Sequence, residues 1–484
     1  MQKQKGSITI FSLLSLLLVM TTLFAFLEFT RFYEIRRLAG LQTQTALESV
    51  FADYSSYLWE NYQLLGCKNA EVQVKLKEYG NSHYDRFTKR NNFLLFQAKK
   101  ADVKEYTLIT DGKGSAYMHE VSDYMKKHIL YETAKKIFNR YEAVKQLKEN
   151  SSMDLNDIDT ALKQLEEKES SSSEEENSVG TSKSANQKKE TIGKNILETV
   201  KKLQKNGVLE LVLKDTDHLS EKKLSLREAV SGRKLKMGNQ EIEETDWMDK
   251  IWLQQYFLMV MSNFCEIKDQ RSMDYEMEYL IGGKANDHEN LKVVATELLA
   301  IREAANFLYL LSDTQKIKEA EAAALVLAGA SANPLLIETI KIAMLTAWAF
   351  GESILDVRAL LQNKKIPLLK NADLWTLEFE NIGELTKGYM VAKESSSGLV
   401  YEDYLGILLF FQGESKLAMR GMDVQEATLQ SLYHDENIQF DQIMVRAEIE
   451  MVYTYEPVFC SFNTINWFKR WRYEVRTVKN FGYY

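Results

Sequence analysis

The side chains that most often carry catalysis or bind metals are spread along the sequence without a recognisable spacing. Six histidines form neither an HExxH motif nor a Cys/His set with metal-ligand spacing: His83, His119, His128, His218, His288 and His434. Gly282-Gly283-Lys284 lacks the leading glycine and the Ser/Thr of a phosphate-binding loop, and Gly112–Ser115 fails the same test, so both predict turns. The sequence therefore predicts no enzyme, no cofactor, no metal site and no small-molecule substrate.

One pair of carboxylates stands a helical turn apart in an otherwise apolar segment. Glu352 and Asp356 could act on a substrate or bind a cation if they faced a cleft. The alternative is an ion pair with Arg358 or another basic residue, since a buried carboxylate needs a partner. We expect the ion pair.

Three cysteines, Cys67, Cys265 and Cys460, are odd in number and far apart. This spacing excludes a disulfide framework and a zinc cluster. We expect buried or half-buried thiols, with one long-range disulfide as the alternative.

Composition is that of a folded, helix-rich protein. Hydrophobic residues make up 45% and charged residues 27%, and only 3 prolines interrupt long runs of helix-forming residues. The formal net charge is −8. Because binding phosphates needs a concentrated basic face, we expect no nucleic-acid partner.

The N-terminus predicts a membrane helix. No charged residue occurs from Ser7 to Leu27, and this stretch is long enough to span a bilayer core of about 30 Å. A cleaved secretory signal is the alternative, with Lys3 and Lys5 as its basic region, but no small-x-small cleavage site precedes Glu28. We therefore predict a leader at 1–6 and a retained single-pass anchor at 7–27.

The elements that follow are predicted from periodicity. Apolar residues at three- and four-residue steps predict one helix from Ile8 to Leu65, ended by Gly66, so that 28–66 continues the anchor. A first part of the external domain is predicted at 67–166, a disordered Ser/Glu/Lys-rich insertion at 167–190 and a second part at 191–484.

Helices and strands are predicted within these two parts. The helices are Tyr117–Glu149, one capped by Asp287 and running through Leu311, Lys316–Gly329, and Pro334–Leu361. The uncharged stretch Ile342–Gly351 of the last helix is too short to cross lipid, so a buried core helix is expected. Strands are predicted at Tyr275–Ile281, at Val445–Tyr455 and at Trp471–Thr477, the last two forming an antiparallel pair through Pro457, Trp467 and Phe468. The predicted fold class is α+β, predominantly helical, with a long N-terminal helix and a small antiparallel sheet that includes the C-terminal strands.

Several segments resemble known proteins. Lys5–Phe11 ahead of the apolar helix and Leu27–Arg31 at its end resemble the N-termini of TadE/TadG-like proteins of the Tad (tight adherence) pilus system. Most of the chain resembles an uncharacterised family of large TadE-like proteins of Gram-positive bacteria. The segments that carry this resemblance are Ala46–Tyr54, Leu299–Phe307, Ala347–Arg358, Tyr401–Leu405 and the Tyr453/Tyr455/Pro457 element.

The resemblance implies a setting rather than a mechanism. It implies a cytoplasmic N-terminus, an extracellular bulk, the lipid bilayer and pilus or secretion-system proteins as partners, and a minor pseudopilin-like or assembly role. Type IV-like prepilins are cut after a glycine that precedes their apolar helix. By this resemblance, Gly6 and Ser7 are the candidate processing site. Phe11 stands where those proteins usually carry glutamate, which favours an anchored role over that of a major filament subunit. A membrane-tethered enzyme and a ligand-binding adhesin are the alternatives.

Glu28 and Arg31 are the candidate docking residues at the membrane boundary. They lie one turn apart on the same helix face, so they can pair with each other or with a partner helix. Simple interfacial anchoring is the alternative interpretation. At an exposed interface their mutual pairing would be worth only a fraction of 1 kcal/mol.

Overall fold

A computed structural model describes residues 4–87, 93–150, 158, 160–164, 183–329, 333–385, 389–435, 437–459 and 472–483. The chain divides into two compact units. Unit 1 comprises Met1–Tyr124, Lys234–Thr245 and Asp435–Tyr484, and unit 2 comprises Met125–Arg233 and Asp246–His434.

Unit 1 is a long helix packed on an antiparallel sheet. Its elements are α1 (Gln4–Ala52), α2 (Ser56–Tyr62), β1 (Cys67–Lys68), α3 (Asn69–Phe87), β2 (Gln97–Leu108), α4 (Asp111–Met125, whose last residue belongs to unit 2), a 3-10 turn (Phe440–Gln442), β3 (Ile443–Tyr455) and β4 (Tyr473–Gly482). Strand β3 pairs with β1, β2 and β4, in each case antiparallel. Buried residues alternate along much of β3, because one face of the sheet meets α1 while the other is more open.

The second half of α1 runs along β4. Thr43 contacts Thr477 through their hydroxyl oxygens at 2.5 Å, and eight residues further on the Phe51 ring lies 4.9 Å from that of Phe481. Helix α1 and strand β4 therefore run in the same direction. The helix face that contributes to the unit 1 core contains Ile35, Ala39, Ala46, Leu47, Val50 and Phe51.

The predicted continuation of this helix to Leu65 is wrong. The helix ends at Ala52. Ser55 is the N-cap of α2, and its backbone N–H donates to the Gly66 carbonyl. The backbone is extended at Ser55, and the Asp53 carboxylate bonds the Lys75 ammonium of α3. Gly66 serves a different purpose from the predicted stop: a Cβ there would lie 2.3 Å from the Ile443 side chain, so glycine permits the approach of β1 to β3.

Unit 2 is helical. Its elements are α5 (Tyr131–Asn150), α6 (Lys183–Lys205), α7 (Val208–Val212), α8 (Trp247–Val260), α9 (Glu276–Gly282), α10 (Asp287–Ser312), α11 (Thr314–Ala328), α12 (Pro334–Leu360), α13 (Tyr401–Phe410), α14 (Glu414–Tyr433) and two 3-10 helices (Ala372–Leu374 and Phe379–Glu384). Helices α10 and α11 pack on α12, which is buried continuously from Ala343 to Leu360. The prediction of a core helix here, with Pro334 in its first turn, is confirmed.

The fold class is confirmed: the chain is α+β and helix-rich, with a small antiparallel sheet that includes the C-terminal strands. The predicted strand pair corresponds to β3 and β4, and the helix prediction at Lys316–Gly329 corresponds to α11. Cys460, Trp467, Phe468 and Trp471 lie outside the described residues.

Three local predictions need correction. The segment predicted as a strand at Tyr275–Ile281 forms α9, because its side chains are buried on all sides and tertiary packing outweighs the β propensity of Tyr and Ile. The helix predicted at Tyr117–Glu149 is interrupted between Met125 and Tyr131. Asn286 rather than Asp287 caps α10, accepting the Glu289 N–H at 2.8 Å.

The predicted insertion at 167–190 falls largely outside the described residues. Its last part is helical, since α6 begins at Lys183. Alanine, glutamine, lysine and glutamate favour helix, and the same helix buries Ile196, Leu197 and Val200 further along. The disorder predicted for the insertion at 167–190 stays a prediction.

Candidate functional site at the end of the apolar helix

The first half of α1 is an exposed apolar helix. Its large side chains are mostly exposed, such as those of Ile8 (68%), Phe11 (73%) and Leu18 (65%). The segment is long and apolar enough to serve as a single membrane anchor. Gly6 and Ser7 lie in its first turns, and their processing stays a prediction.

Arg31 follows this apolar segment and is buried in unit 1. It is only 3% exposed, although a charged residue at the end of an apolar span usually reaches water. Its guanidinium donates to the Glu28 carboxylate at 2.8 Å, to the Glu456 carbonyl at 2.8 Å and to the Phe93 carbonyl at 2.5 Å. It therefore joins α1 to the end of β3 and to the loop before β2.

Glu28 completes the link. One carboxylate oxygen bonds Arg31, and the other accepts the backbone N–H groups of Val458 at 3.0 Å and Phe459 at 2.9 Å. The predicted pairing of Glu28 with Arg31 is thus present. The expectation of an exposed pair is wrong, because the turn after β3 folds over both side chains.

Aromatic rings surround the ion pair. The Phe459 ring stacks on that of Phe24 with centroids 6.0 Å apart, and its edge meets Phe93 at 5.5 Å. Arg31 lies over the rings of Phe93 and Tyr455 at 5.8 and 5.7 Å. We call Phe24, Glu28, Arg31, Phe93, Glu456 and Phe459 the boundary cluster.

A cavity of about 420 Å³ opens beside the boundary cluster. Arg31 and Glu456 line it together with Tyr455, Pro457 and Arg472, and Arg472 donates to the Glu456 carboxylate at 3.2 Å. Two arginines and one glutamate line the cavity, and Arg31 also pairs with Glu28, which lies outside the lining. Across the described ranges of the chain, no three His, Cys, Asp or Glu side chains come together in a way that would hold a metal ion.

A second polar cluster lies inside unit 2, where three of the segments quoted for the family resemblance meet. Arg302 in α10 donates to Asp356 in α12 at 3.0 Å and to the Tyr404 hydroxyl in α13 at 3.0 Å. Asn306 donates to the same Asp356 oxygen at 2.9 Å. Neither Arg302 nor Asp356 has any exposed side-chain surface.

Lys370 balances the remaining charge. Its ammonium bonds Glu352 and contacts Asp356 at 2.6 Å. Glu352 also accepts the backbone N–H groups of Thr376 and Leu377. The carboxylates are thus paired with basic residues, as expected, but Arg358 instead donates to the carbonyls of Leu211 and Met390. Sequence periodicity could not have identified Lys370, which lies in a loop.

Glu352 and Asp356 are therefore both buried and paired inside unit 2. Burial raises the pKa of Asp356, but the charges of Arg302 and Lys370 outweigh burial and hold that pKa below its usual range. All four charged side chains are enclosed and neutralise one another. Their role in unit 2 is to hold α10, α12 and the following loop together.

Three other buried carboxyls hold their protons more tightly. Burial raises the pKa of Glu303 to about 8 and that of Glu276 and Glu278 to about 7. Cys67 and Cys265 are free thiols, so neither forms the disulfide considered from the sequence. Burial raises the pKa of each thiol to about 12.

The fold and the boundary cluster define a class: an α+β protein with one exposed apolar helix that is clamped to a sheet at the end of its apolar half. Residues 186–455 match a family model described as a family of unknown function, DUF5702. This range is more than half of the chain, so the chain belongs to that family. No curated protein and no solved structure matches the chain.

Proposed function

We propose that this protein is a non-enzymatic, membrane-anchored structural or assembly component of a Tad-type pilus or related surface secretion system. It acts as a minor pseudopilin-like subunit with a cytoplasmic N-terminus and an extracellular bulk. The observation that carries the proposal is the layout of α1: an exposed apolar half is followed by a half that packs along an antiparallel sheet. A pilin-like subunit needs both halves, one for lipid and one for its own domain.

The outer face of α1 supports docking to a partner helix. Phe29, Tyr33, Arg37 and Leu41 follow one another at four-residue steps and all are exposed. Tyr33 is 55% and Leu41 54% exposed, whereas Ile35 and Ala39 on the inner face are fully buried. Glu28 and Arg31 bond within unit 1, so we assign the docking contact to this outer stripe rather than to them.

Crosslinking from intact cells tests the proposal. A photoreactive amino acid placed at Tyr33 or Leu41 should capture pilus motor, platform or pilin proteins, identified by mass spectrometry. Val74 provides a matched control, because it is an apolar residue of unit 1 that is 71% exposed on α3, away from the stripe. Capture of the same proteins from Val74, or of no pilus-system protein from Tyr33 and Leu41, would contradict the proposal.

A further inference from the structure

We propose that unit 1 itself rests in the membrane interface, through the end of the sheet that carries Phe93, Val458 and Phe459. The partner is the headgroup and acyl boundary of the bilayer that α1 spans. This inference depends on the membrane anchoring of α1 in the proposed function, and it adds a second, non-helical contact with the same membrane.

Val458 and Phe459 lie at the same level along α1 as the end of its apolar half. Phe24 belongs to the uncharged segment, and the Phe459 ring stacks on it at 6.0 Å with only 17° between the ring planes. Glu28 lies one turn later, about 6 Å further along the helix axis, and binds the backbone of Val458 and Phe459. If Phe24 is at the level of the last turn in lipid, the turn after β3 is at that level as well.

The chemistry of this surface is the second argument. Phe93 is 44% and Val458 47% exposed, although the Phe93 ring also meets the edge of the Phe459 ring at 5.5 Å. Aromatic residues are enriched at membrane interfaces. Arg472 is exposed beside them and can extend its guanidinium towards headgroups while its stem stays apolar.

Glu28 and Arg31 are charged residues close to the lipid, and the boundary cluster compensates their charges. Glu28 is neutralised by Arg31 and by two backbone N–H groups, so its carboxylate does not enter the interface unpaired. Arg31 in turn donates through Nε to the Phe93 carbonyl and through Nη1 to Glu28 and the Glu456 carbonyl. The cluster allows charged residues to lie next to the last apolar turn.

The opposite end of the sheet provides an internal reference. Because β4 advances along α1 for ten residues, its far end lies about 30 Å from the boundary cluster. Met237 belongs to the segment at that far end: Asn239, two residues on, donates its backbone N–H to the Tyr106 carbonyl, and Tyr106 pairs with Ala447. It is 74% exposed.

Fluorescence quenching in vesicles tests the inference. Single cysteines at Phe93, Val458 or Met237 would be introduced into the full chain with Cys67, Cys265 and Cys460 replaced by serine, and labelled with nitrobenzoxadiazole. We expect blue-shifted emission at 93 and 458 that nitroxide lipids labelled near the headgroup quench. The label at 237 should emit as in water and resist quenching.

A second measurement uses the unmodified protein, in case the cysteine replacements impair folding. A lipid carrying a diazirine near its glycerol should crosslink to peptides that contain Phe93 or Val458, and not to the peptide that contains Met237. Mass spectrometry of the digested protein reads this directly.

The outcomes separate this inference from the anchor. Water-like emission at all three positions, in protein that resists carbonate extraction, would overturn the inference and leave the anchor in place. Release by carbonate would overturn both. Blue-shifted emission that lipid nitroxides do not quench, and that is lost on dilution in lipid, would assign the surface to a second copy of the chain instead.

Discussion

Arg31 and Glu28 form an ion pair at 2.8 Å with side chains only 2% and 14% exposed, whereas Arg37 and Glu34 form the same pair at 2.7 Å with side chains 59% and 45% exposed. Both pairs have i,i+3 spacing on the same helix. The two pairs differ in burial, because other parts of unit 1 pack against α1 at the first pair and not at the second. Variants of the two arginines can therefore be compared directly.

Arg31→Gln should destabilise unit 1, because it leaves the Glu28 carboxylate and two carbonyls without their donor. Breaking a buried pair typically costs about 3–5 kcal/mol, and we expect the lower end here because Glu28 keeps two backbone donors. Arg37→Gln should cause little or no change. Urea unfolding of the full chain in detergent, followed by proteolysis of the β3–β4 region, measures both. Equal effects of the two variants would contradict the structural role of Arg31.

Asp356→Asn should destabilise unit 2 by about 3–5 kcal/mol, because Arg302 would lose its carboxylate partner in a buried site while Lys370 would keep only Glu352. Adding Lys370→Met to this variant restores the charge balance. The double variant should therefore be more stable than the sum of the two single effects, by roughly 1–3 kcal/mol in a double-mutant cycle. Additive losses in the free energy of unfolding would show that the charges act independently.

Glu303→Gln should flatten the pH dependence of stability. The folded pKa of about 8 lies above the ordinary value of 4.5, so the folded state keeps a proton that the unfolded state releases. Stability contributed by this group is full below about pH 4.5 and is lost as pH rises through 8. Melting temperatures between pH 5 and 9 should fall less in the variant. Glu289→Gln, an exposed site on the same helix, is the control and should leave the profile unchanged.

Leu14→Arg combined with Leu17→Arg should abolish membrane retention. Each arginine near the centre of a span costs about 3 kcal/mol in insertion, so the pair outweighs much of what the apolar segment contributes. The full-length protein should resist carbonate extraction and the double variant should not, while Leu14→Ile with Leu17→Ile should behave as the parent does. A double-arginine variant that still resists extraction would mean that residues 7–27 are not the anchor.

Much of the fold could be predicted where a local pattern is strong. The alternation along β3 and the proline in the first turn of α12 were sufficient for those elements. The edge strand β2 was missed because its exposed face carries several charges and shows no clear alternation. The end of α1 and the helix α9 were predicted wrongly because contacts distant in sequence outweigh local preference there.

The candidate site was predictable only in part. The sequence by itself determined that residues 7–27 form an uncharged apolar segment closed by Glu28 and Arg31, and that Glu352 and Asp356 need basic partners. Only the tertiary structure decided that Arg31 is buried beneath residues more than 400 positions away, and that Lys370 and Arg302 supply the partners. The reason is physical: helix and strand periodicity follow from bonds between near neighbours, whereas the burial of a charge depends on which distant backbone and side chains surround it.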